Sequence, residues 1–511
     1  MNTFLQTLSK RFTIPFFVFI TGGCVLIIEV VAIRILSPYY GNTIFTVSSV
    51  ISVVLLALSV GYFFGGKLAD KHPKESLFYN IIALSGFAVI FLYLLGMVFL
   101  ANFGYQLSIV EGPIVSSLLL FFPQSFLLGL LSPFAIKLQK QRMEELGVGS
   151  VSGQIFFWST LGSISGSLGA GFFLIPHFGI DKIMLSVGFL LIVLGLFGNI
   201  TLNFRLRFLL ILVLLFSSLS SIGNLSAENN NVLYSKDGVY QKITIFDDMY
   251  YGRKARFLFQ DKNSSAAEYL DTDEMAYEYT KYYALHQIFK PELKEALVIG
   301  GGAYSVPKAL VKDFPDATVD VAEIEPKLLE LAKEYFNFPK DANINNEIKD
   351  GRRFLYDSDK KYDLIFSDAY SSFFSIPEHL TTQEFFTLAK ESLSENGVFI
   401  ANIIGNITGA SPSFALSEIK TFKSVFGNSY FFAAISPDAD KTQNIIFVGY
   451  NSNESIDINE LKVKNHKNPI INGLSDKMIN INKFDFSEHQ ILTDNHAPVD
   501  YLISKELQRM Y

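Results

Sequence analysis

Up to about residue 225 the chain runs in long apolar stretches, and beyond it the stretches shorten and polar positions return at regular intervals. A transmembrane helix needs about 20 mainly apolar residues. Runs of that kind cover 13–37, 44–66, 77–101, 113–136, 155–176, 183–200 and 207–223, the last being the shortest, and predict seven spans. The first follows Lys10-Arg11 and extends through about 24 residues without a small-residue cleavage site. A signal-peptide core is only about 7–15 residues, so this run reads as an uncleaved span. In the second part, GVYQKITIF (238–246) and KARFLFQD (254–261) read as short strands around a turn at Tyr251-Gly252, and 273–289 reads as a helix. Buried strands then follow at EALVIGGG (295–302), TVDVAEIE (318–325), NEIKDG (346–351), KYDLIFSDAY (361–370) and GVFIANII (397–404). Two more lie near 428–435 and 443–450, with helical segments between the strands. Strands alternating with helices predict a parallel sheet wound on both faces.

The expected fold is therefore a polytopic α-helical membrane domain over 1–225, then a small β-strand subdomain with its connecting helix over 226–290, then an α/β Rossmann-like domain over 291–511. Charge follows the same division. Residues 1–225 hold 12 Lys/Arg against 7 Asp/Glu, whereas 226–511 hold 30 against 42, so a basic part precedes an acidic one. The averages of 50% hydrophobic and 18% charged residues describe neither. A net charge of −7 argues against a generic nucleic-acid binder. One cysteine, Cys24, and seven scattered histidines argue against a disulfide framework or a metal centre. Ten of the twelve basic residues in the first part fall in alternate connections, which sets the N-terminus in the cytoplasm. Within the first span Glu29 and Arg34 lie too far apart around a helix to form an i,i+4 pair, and read as packing contacts or as part of a substrate or proton path. The glycines of GSISGSLGAG (162–171) read as a close helix–helix contact.

Ligands of wound sheets bind outside the carboxyl ends of the strands, and chemistry-bearing residues stand there in order. Gly300, Gly301 and Gly302 end the first buried strand, where backbone N–H groups can approach a ligand; a tight turn is the plain alternative. Glu323 ends the second, suited to a ribose diol. Asp350-Gly351 ends the third, suited to an adenine amine or to capping a helix. Asp368 ends the fourth, beside the place of a reacting group. Glycines followed by three acids point to a nucleoside cofactor. The run GGGAYS is not the GxGxxG of dinucleotide binders.

The set resembles the class I S-adenosylmethionine-binding fold and, more closely, the spermidine synthase (polyamine aminopropyltransferase) family. The likeness covers roughly 234–405 and rests on YQKITIF (240–246), DEMAYEY (273–279), ALVIGGG, AEIEP (322–326), KDG (349–351) and LIFSDAY (364–370). EVVAIR (29–34), GGKLAD (65–70) and LTDNHAPVDYL (492–502) are similar to blocks of a membrane-fused branch of that family. The resemblance implies that Gln241, Gly300, Gly301, Gly302, Glu323, Asp350 and Gly351 hold decarboxylated S-adenosylmethionine or S-adenosylmethionine as donor, with no metal. It implies Asp368 as general base, with Tyr277 and Tyr370 in the catalytic set and Tyr277 placing the acceptor. Three polar positions of the soluble enzymes differ here, as Ala303, Ser371 and Ser265, so the donor site looks kept and the amine site rebuilt.

The expected activity is aminopropyl transfer to an amine such as putrescine. The alternatives are methyl transfer and a non-catalytic transporter or sensor that binds such nucleosides or polyamines. The expected partners are a small amine, the lipid bilayer and a second copy in a homodimer. The expected location is the cell (inner) membrane, multi-pass. Seven spans would place residue 226 onward outside, whereas a cytoplasmic donor supply favours the cytoplasmic side.

Overall fold

The computed structural model describes residues 2–198 and 231–507 except 262, 273, 340–342, 370–375 and 409–412, with side chains from 11 onward save that of Tyr105. The expected span 207–223 and the residues Tyr370 and Ser371 lie outside the described residues. The chain divides into two compact units, Met1–Asn229 and Asn230–Tyr511.

The first unit is helical: α1 (Asn2–Tyr40), α2 (Ile44–Lys71), α3 (Glu75–Phe103), α4 (Glu111–Leu120), α5 (Phe122–Gly129), α6 (Leu131–Arg142), α7 (Val148–Gly169) and α8 (Ile180–Gly198). Among the described residues, four helices are long and apolar enough to cross a membrane: Arg11–Tyr40 of α1, then α2, α3 and α8. A fifth crossing results if the pair Glu111–Leu120 and Phe122–Arg142 counts as one span bent by 50°. Pro123 stands in the first turn of α5, where the ring cannot donate to the preceding turn, and this accounts for the break. The expected span 155–176 falls on α7 and the residues after it, whose serines and glycines leave it outside the group of sufficiently apolar helices.

Glycine contacts hold these helices close. A Cβ on Gly162 of α7 would lie 1.9 Å from the Phe19 carbonyl oxygen of α1, and one on Gly166 would lie 2.3 Å from that of Gly23. Small residues at such crossings let two backbones touch, as the glycine pattern predicted.

The second unit begins with an antiparallel sheet in the order β1-β2-β3-β4: β1 (Val232–Asp237), β2 (Lys242–Tyr250), β3 (Arg253–Gln260) and β4 (Asn263–Tyr269). The β2–β3 turn at Tyr251-Gly252 has positive φ at both residues, the geometry that matches strand twist in a tight hairpin. The expected helix over 273–289 is instead a 3₁₀ segment, Glu278–Leu285, followed by one α turn, His286–Phe289. Met275 pairs with Glu268 of β4, which holds the start of that stretch extended.

A seven-stranded sheet follows, in the order β10-β11-β9-β8-β5-β6-β7. Its strands are β5 (Glu295–Ile299), β6 (Thr318–Glu323), β7 (Ile344–Ile348), β8 (Tyr362–Ser367), β9 (Leu393–Gly405), β10 (Asn428–Ala433) and β11 (Gln443–Tyr450). The first five pair in parallel, but β11 runs antiparallel to β9 and to β10, so the sheet is mixed rather than wholly parallel. From β5 the chain winds outward to β6 and β7, then returns to β8 on the other side of β5. That reversal makes a crevice at the carboxyl ends of β5 and β8, the usual ligand position in such sheets. Ile243, Ile245 and Leu258 of the small sheet share one core with Val298, Val321, Leu364 and Phe366 of the large one.

Gly162→Val should lower the thermal midpoint of the detergent-solubilised protein clearly more than Gly153→Val. Both lie on α7, but a Cβ on Gly153 meets nothing within 4 Å. Equal losses would show that the α1–α7 approach is not what holds these helices.

Candidate active site

Backbone bonds at the end of β5 diverge. Gly300 N donates to Ala322 O of β6 at 2.9 Å, while Asp368 N donates to Ile299 O at 2.8 Å. Gly300 has φ +92°, and a Cβ there would lie 2.4 Å from the Asp368 carbonyl oxygen. Glycine is required on both counts. Gly351 is required for another reason: a Cβ would lie 2.2 Å from Ile299 Cγ2. The glycine loop, the β7 end and the β8 end are thus packed around one point.

Glu323, at the end of β6, is 6% exposed. Its Oε2 accepts from Gly301 N at 2.6 Å and Gly302 N at 3.4 Å, and its Oε1 accepts from Glu325 N at 2.8 Å. Burial pushes its carboxyl up, against the pull of those N–H bonds. This is no solvated strand end. Glu325 reaches the other way, accepting from Tyr240 N at 3.0 Å. It thereby tethers the β1–β2 turn in which Gly238 N donates to Gln241 O at 2.8 Å. The Gln241 Oε1 atom is buried and has no partner among the described residues, the condition of a group awaiting a ligand donor.

Asp350 caps the helix Gly351–Asp357, its Oδ1 accepting from Arg353 N at 2.9 Å. Its Oδ2 meets His379 Nε2 at 2.7 Å. Burial acts to raise this carboxyl, but the His379 and Arg353 bonds outweigh it and hold it below the usual carboxylate range. The helix-cap reading is therefore met, and the same group remains at the crevice. The next residue, Arg352, forms a two-pronged pair with Asp494 at 2.7 and 2.5 Å, and Asp494 also accepts from Thr382 Oγ1 at 2.8 Å. The block 492–502 is thus tied to the β7 end.

Asp368 follows β8. Asn402 Nδ2 donates to its Oδ1 at 2.8 Å, and the Tyr279 hydroxyl, which donates to Ser265 O at 3.3 Å, also acts to lower its pKa. Enclosure by protein pushes its carboxyl up to about 6, against the pull of those two groups. Tyr277 stacks on Tyr279 with ring centroids 6.0 Å apart, and its own hydroxyl pairs with Ser264. Of the two rings, it is Tyr279 whose hydroxyl acts on Asp368. Ser265 Oγ is buried without a partner among the described residues, and Ala303 is buried.

Sequence reasoning overlooked Tyr279, Asn402, His379, Glu325 and the Arg352–Asp494 pair. Signals were present for some: Tyr279 closes the block DEMAYEY, Glu325 is the second acid of AEIEP, and Asn402 interrupts an apolar strand. Among the described residues no group of three or more His, Cys, Asp or Glu is placed to hold a metal ion. The site can accept hydrogen bonds at three acids, offers an unpaired glutamine oxygen, and holds one carboxylate poised to take a proton near neutrality.

Comparison with known proteins bears on this geometry. The Spermine/spermidine synthase domain matches residues 282–460. The polyamine aminopropyltransferase of Vibrio vulnificus (strain CMCP6) is 30% identical over 227 residues, 43% of this chain and 74% of that protein. A probable polyamine aminopropyl transferase of Bifidobacterium longum (strain NCC 2705) is 36% identical over 144 residues, 28% of this chain and 31% of that one. The crystal structure of spermidine synthase from Thermotoga maritima aligns with a TM-score of 0.38 and 20% identity, over 47% of this chain and 79% of that one.

The raised carboxyl of Asp368 has a consequence for stability. Its folded value of about 6 stands above the ordinary 3.8, so between those values the unfolded chain binds fewer protons and native stability falls as pH rises. Asp368→Asn removes that cost. It should raise stability at pH 8 by about 3 kcal/mol and leave it nearly unchanged near pH 3.5. Equal effects at the two pH values in thermal unfolding would refute the raised value.

Proposed function

The chain belongs to the polyamine aminopropyltransferase family, and from that premise we propose that it transfers an aminopropyl group from decarboxylated S-adenosylmethionine to an amine such as putrescine, with Asp368 as general base. It is a transferase. The observation that carries the base assignment is the position of Asp368 at the β5/β8 crevice with its carboxyl pushed up to about 6.

The chemistry requires such a group. An alkylammonium has a pKa of about 10.4, so its lone pair is blocked at neutral pH. A carboxylate that accepts an N–H bond orients the amine and takes its proton as the nitrogen attacks the carbon beside the sulfonium. The C–N bond forms, the C–S bond breaks, and methylthioadenosine leaves with the electron pair. At pH 7 a carboxyl with a pKa of about 6 is mostly ionised, yet is a stronger base than an ordinary aspartate. For the donor, Glu323 faces the ribose, Asp350 faces the adenine amine, and the Gln241 oxygen and the Gly300–Gly302 loop face the sulfonium end. The buried, unpartnered Gln241 Oε1 supports this placement.

With labelled donor and putrescine, wild-type protein should release methylthioadenosine. Asp368→Asn should lower turnover about 10²–10⁴-fold with nucleoside affinity nearly unchanged. An undiminished rate in that variant would eliminate Asp368 as base. Release of S-adenosylhomocysteine would assign methyl transfer instead, and binding without turnover across an amine panel would assign a sensor or transporter.

We place the helical unit in the cell membrane and the catalytic unit on the cytoplasmic side. Support comes from the four long apolar helices and from the large apolar side chains they expose, Leu55, Phe63 and Phe91 among them. The cytoplasmic side is chosen for the donor, which a cytoplasmic catalytic unit would meet where it is made. A reporter fused after Tyr511 should be active only when facing the cytoplasm; activity on the outer face alone would refute this side and cytosolic polyamine synthesis with it.

A further inference from the structure

Two asparagines stand where an apolar strand has no need of them. Asn402 lies in β9 between Ala401 and Ile403 and is 2% exposed. Asn444 lies in β11 and is half-buried. Register brings them into line with the candidate base. Ser367 of β8 pairs with Ala401 of β9, so Asp368 comes level with Asn402. Across the antiparallel β9–β11 pair, Asn402 faces Ile446 and Asn444 faces Ile404, which makes the two asparagines diagonal neighbours on one face. Their amides connect: Asn444 Nδ2 donates to Asn402 Oδ1 at 2.9 Å, and Asn402 Nδ2 donates to Asp368 Oδ1 at 2.8 Å.

The order of these bonds matters because an amide has two ends of nearly equal shape and opposite hydrogen-bonding character. Asn402 alone could turn either its N–H or its C=O toward Asp368. A donor on its oxygen removes that freedom, leaving only N–H for the carboxylate. An N–H facing Asp368 favours the charged form; a C=O facing it would favour the protonated form. We propose that Asn402 and Asn444 are positioning residues for the transfer reaction: the Asn444 amide fixes the orientation of Asn402, which in turn keeps Asp368 ionised and aimed into the crevice. This rests on the reading of Asp368 as base. Among the described residues, the titratable group that acts on Asp368 is Tyr279, from the 3₁₀ segment, whose hydroxyl donates to Ser265 O at 3.3 Å. Gly300, from the β5 end, brings only backbone to it.

A strand cross-link with no chemical role predicts something different, and the whole protein in detergent distinguishes the two. The stability difference between each background and its Asp368→Asn partner, followed from pH 4 to 8, levels off at the folded pKa of Asp368. In Asn402→Leu the levelling point should move up by about 0.5–1 pH unit. Asn444→Leu should move it in the same direction although position 444 lies one residue beyond the carboxylate's own partner. Asn444→Asp, which offers an acceptor in place of a donor and turns Asn402 around, should move it furthest. The acidic limb of the pH–rate profile should shift in parallel. A levelling point within about 0.2 pH unit of wild type in Asn444→Leu and Asn444→Asp overturns the proposal even if Asn402→Leu fails to fold. If instead these shifts appear but Asp368→Asn keeps full turnover, the asparagine pair stands and the base assignment falls.

Discussion

Taking a carboxylate out of water costs several kcal/mol unless hydrogen bonds replace the lost solvent, and the second unit does this at three strand ends. Each end replaces the water differently. Glu323 receives backbone N–H groups from the glycine loop and from Glu325. Asp350 receives a helix N-terminus and an imidazole. Asp368 receives one amide, with a phenol also acting on it. The same residue chemistry therefore has different proton affinities, with Asp350 held below the ordinary range and Asp368 held up at about 6.

This graded compensation matches the division of work proposed for the site. A group that recognises hydroxyls or an exocyclic amine serves best when permanently charged. A group that takes a proton during reaction serves best with a value near the working pH. Both are built from acids at the ends of neighbouring strands, and the difference lies in what the adjoining strand or loop offers. The sheet reversal at β5 brings the two kinds together, because only there do the ends of strands wound in opposite directions face one another.

The helical unit is governed by a simpler constraint. Backbones approach so closely at Gly162 and Gly166 that no larger residue fits. In the membrane placement proposed for this unit, such contact makes up for the weak hydrophobic drive between helices in an apolar medium. Spacing of small residues in one strand of sequence suggested this, but its partner on α1, near Gly23, was visible only once the two helices were paired.

What the sequence by itself determined is what depends on consecutive residues. Run length marked most of the helices, alternation and apolar runs marked the strands, and the strand-end positions of Gly300, Glu323, Asp350 and Asp368 followed from where each run stopped. The cap formed by Asp350 was legible too, since a helix cap is a local signal. Tertiary structure decided the partners. His379 reaches Asp350 across 29 positions, Asn402 reaches Asp368 across 34, and Arg352 reaches Asp494 across 142. It also set Tyr279 on a 3₁₀ segment with its hydroxyl on Ser265 O at 3.3 Å, from where it acts on Asp368. The antiparallel edge that carries Asn444 beside Asn402 belongs to the same class. Period and composition are properties of neighbours along the chain, whereas the proton affinity of a buried acid is set by whichever distant groups the sheet brings within about 3 Å of it.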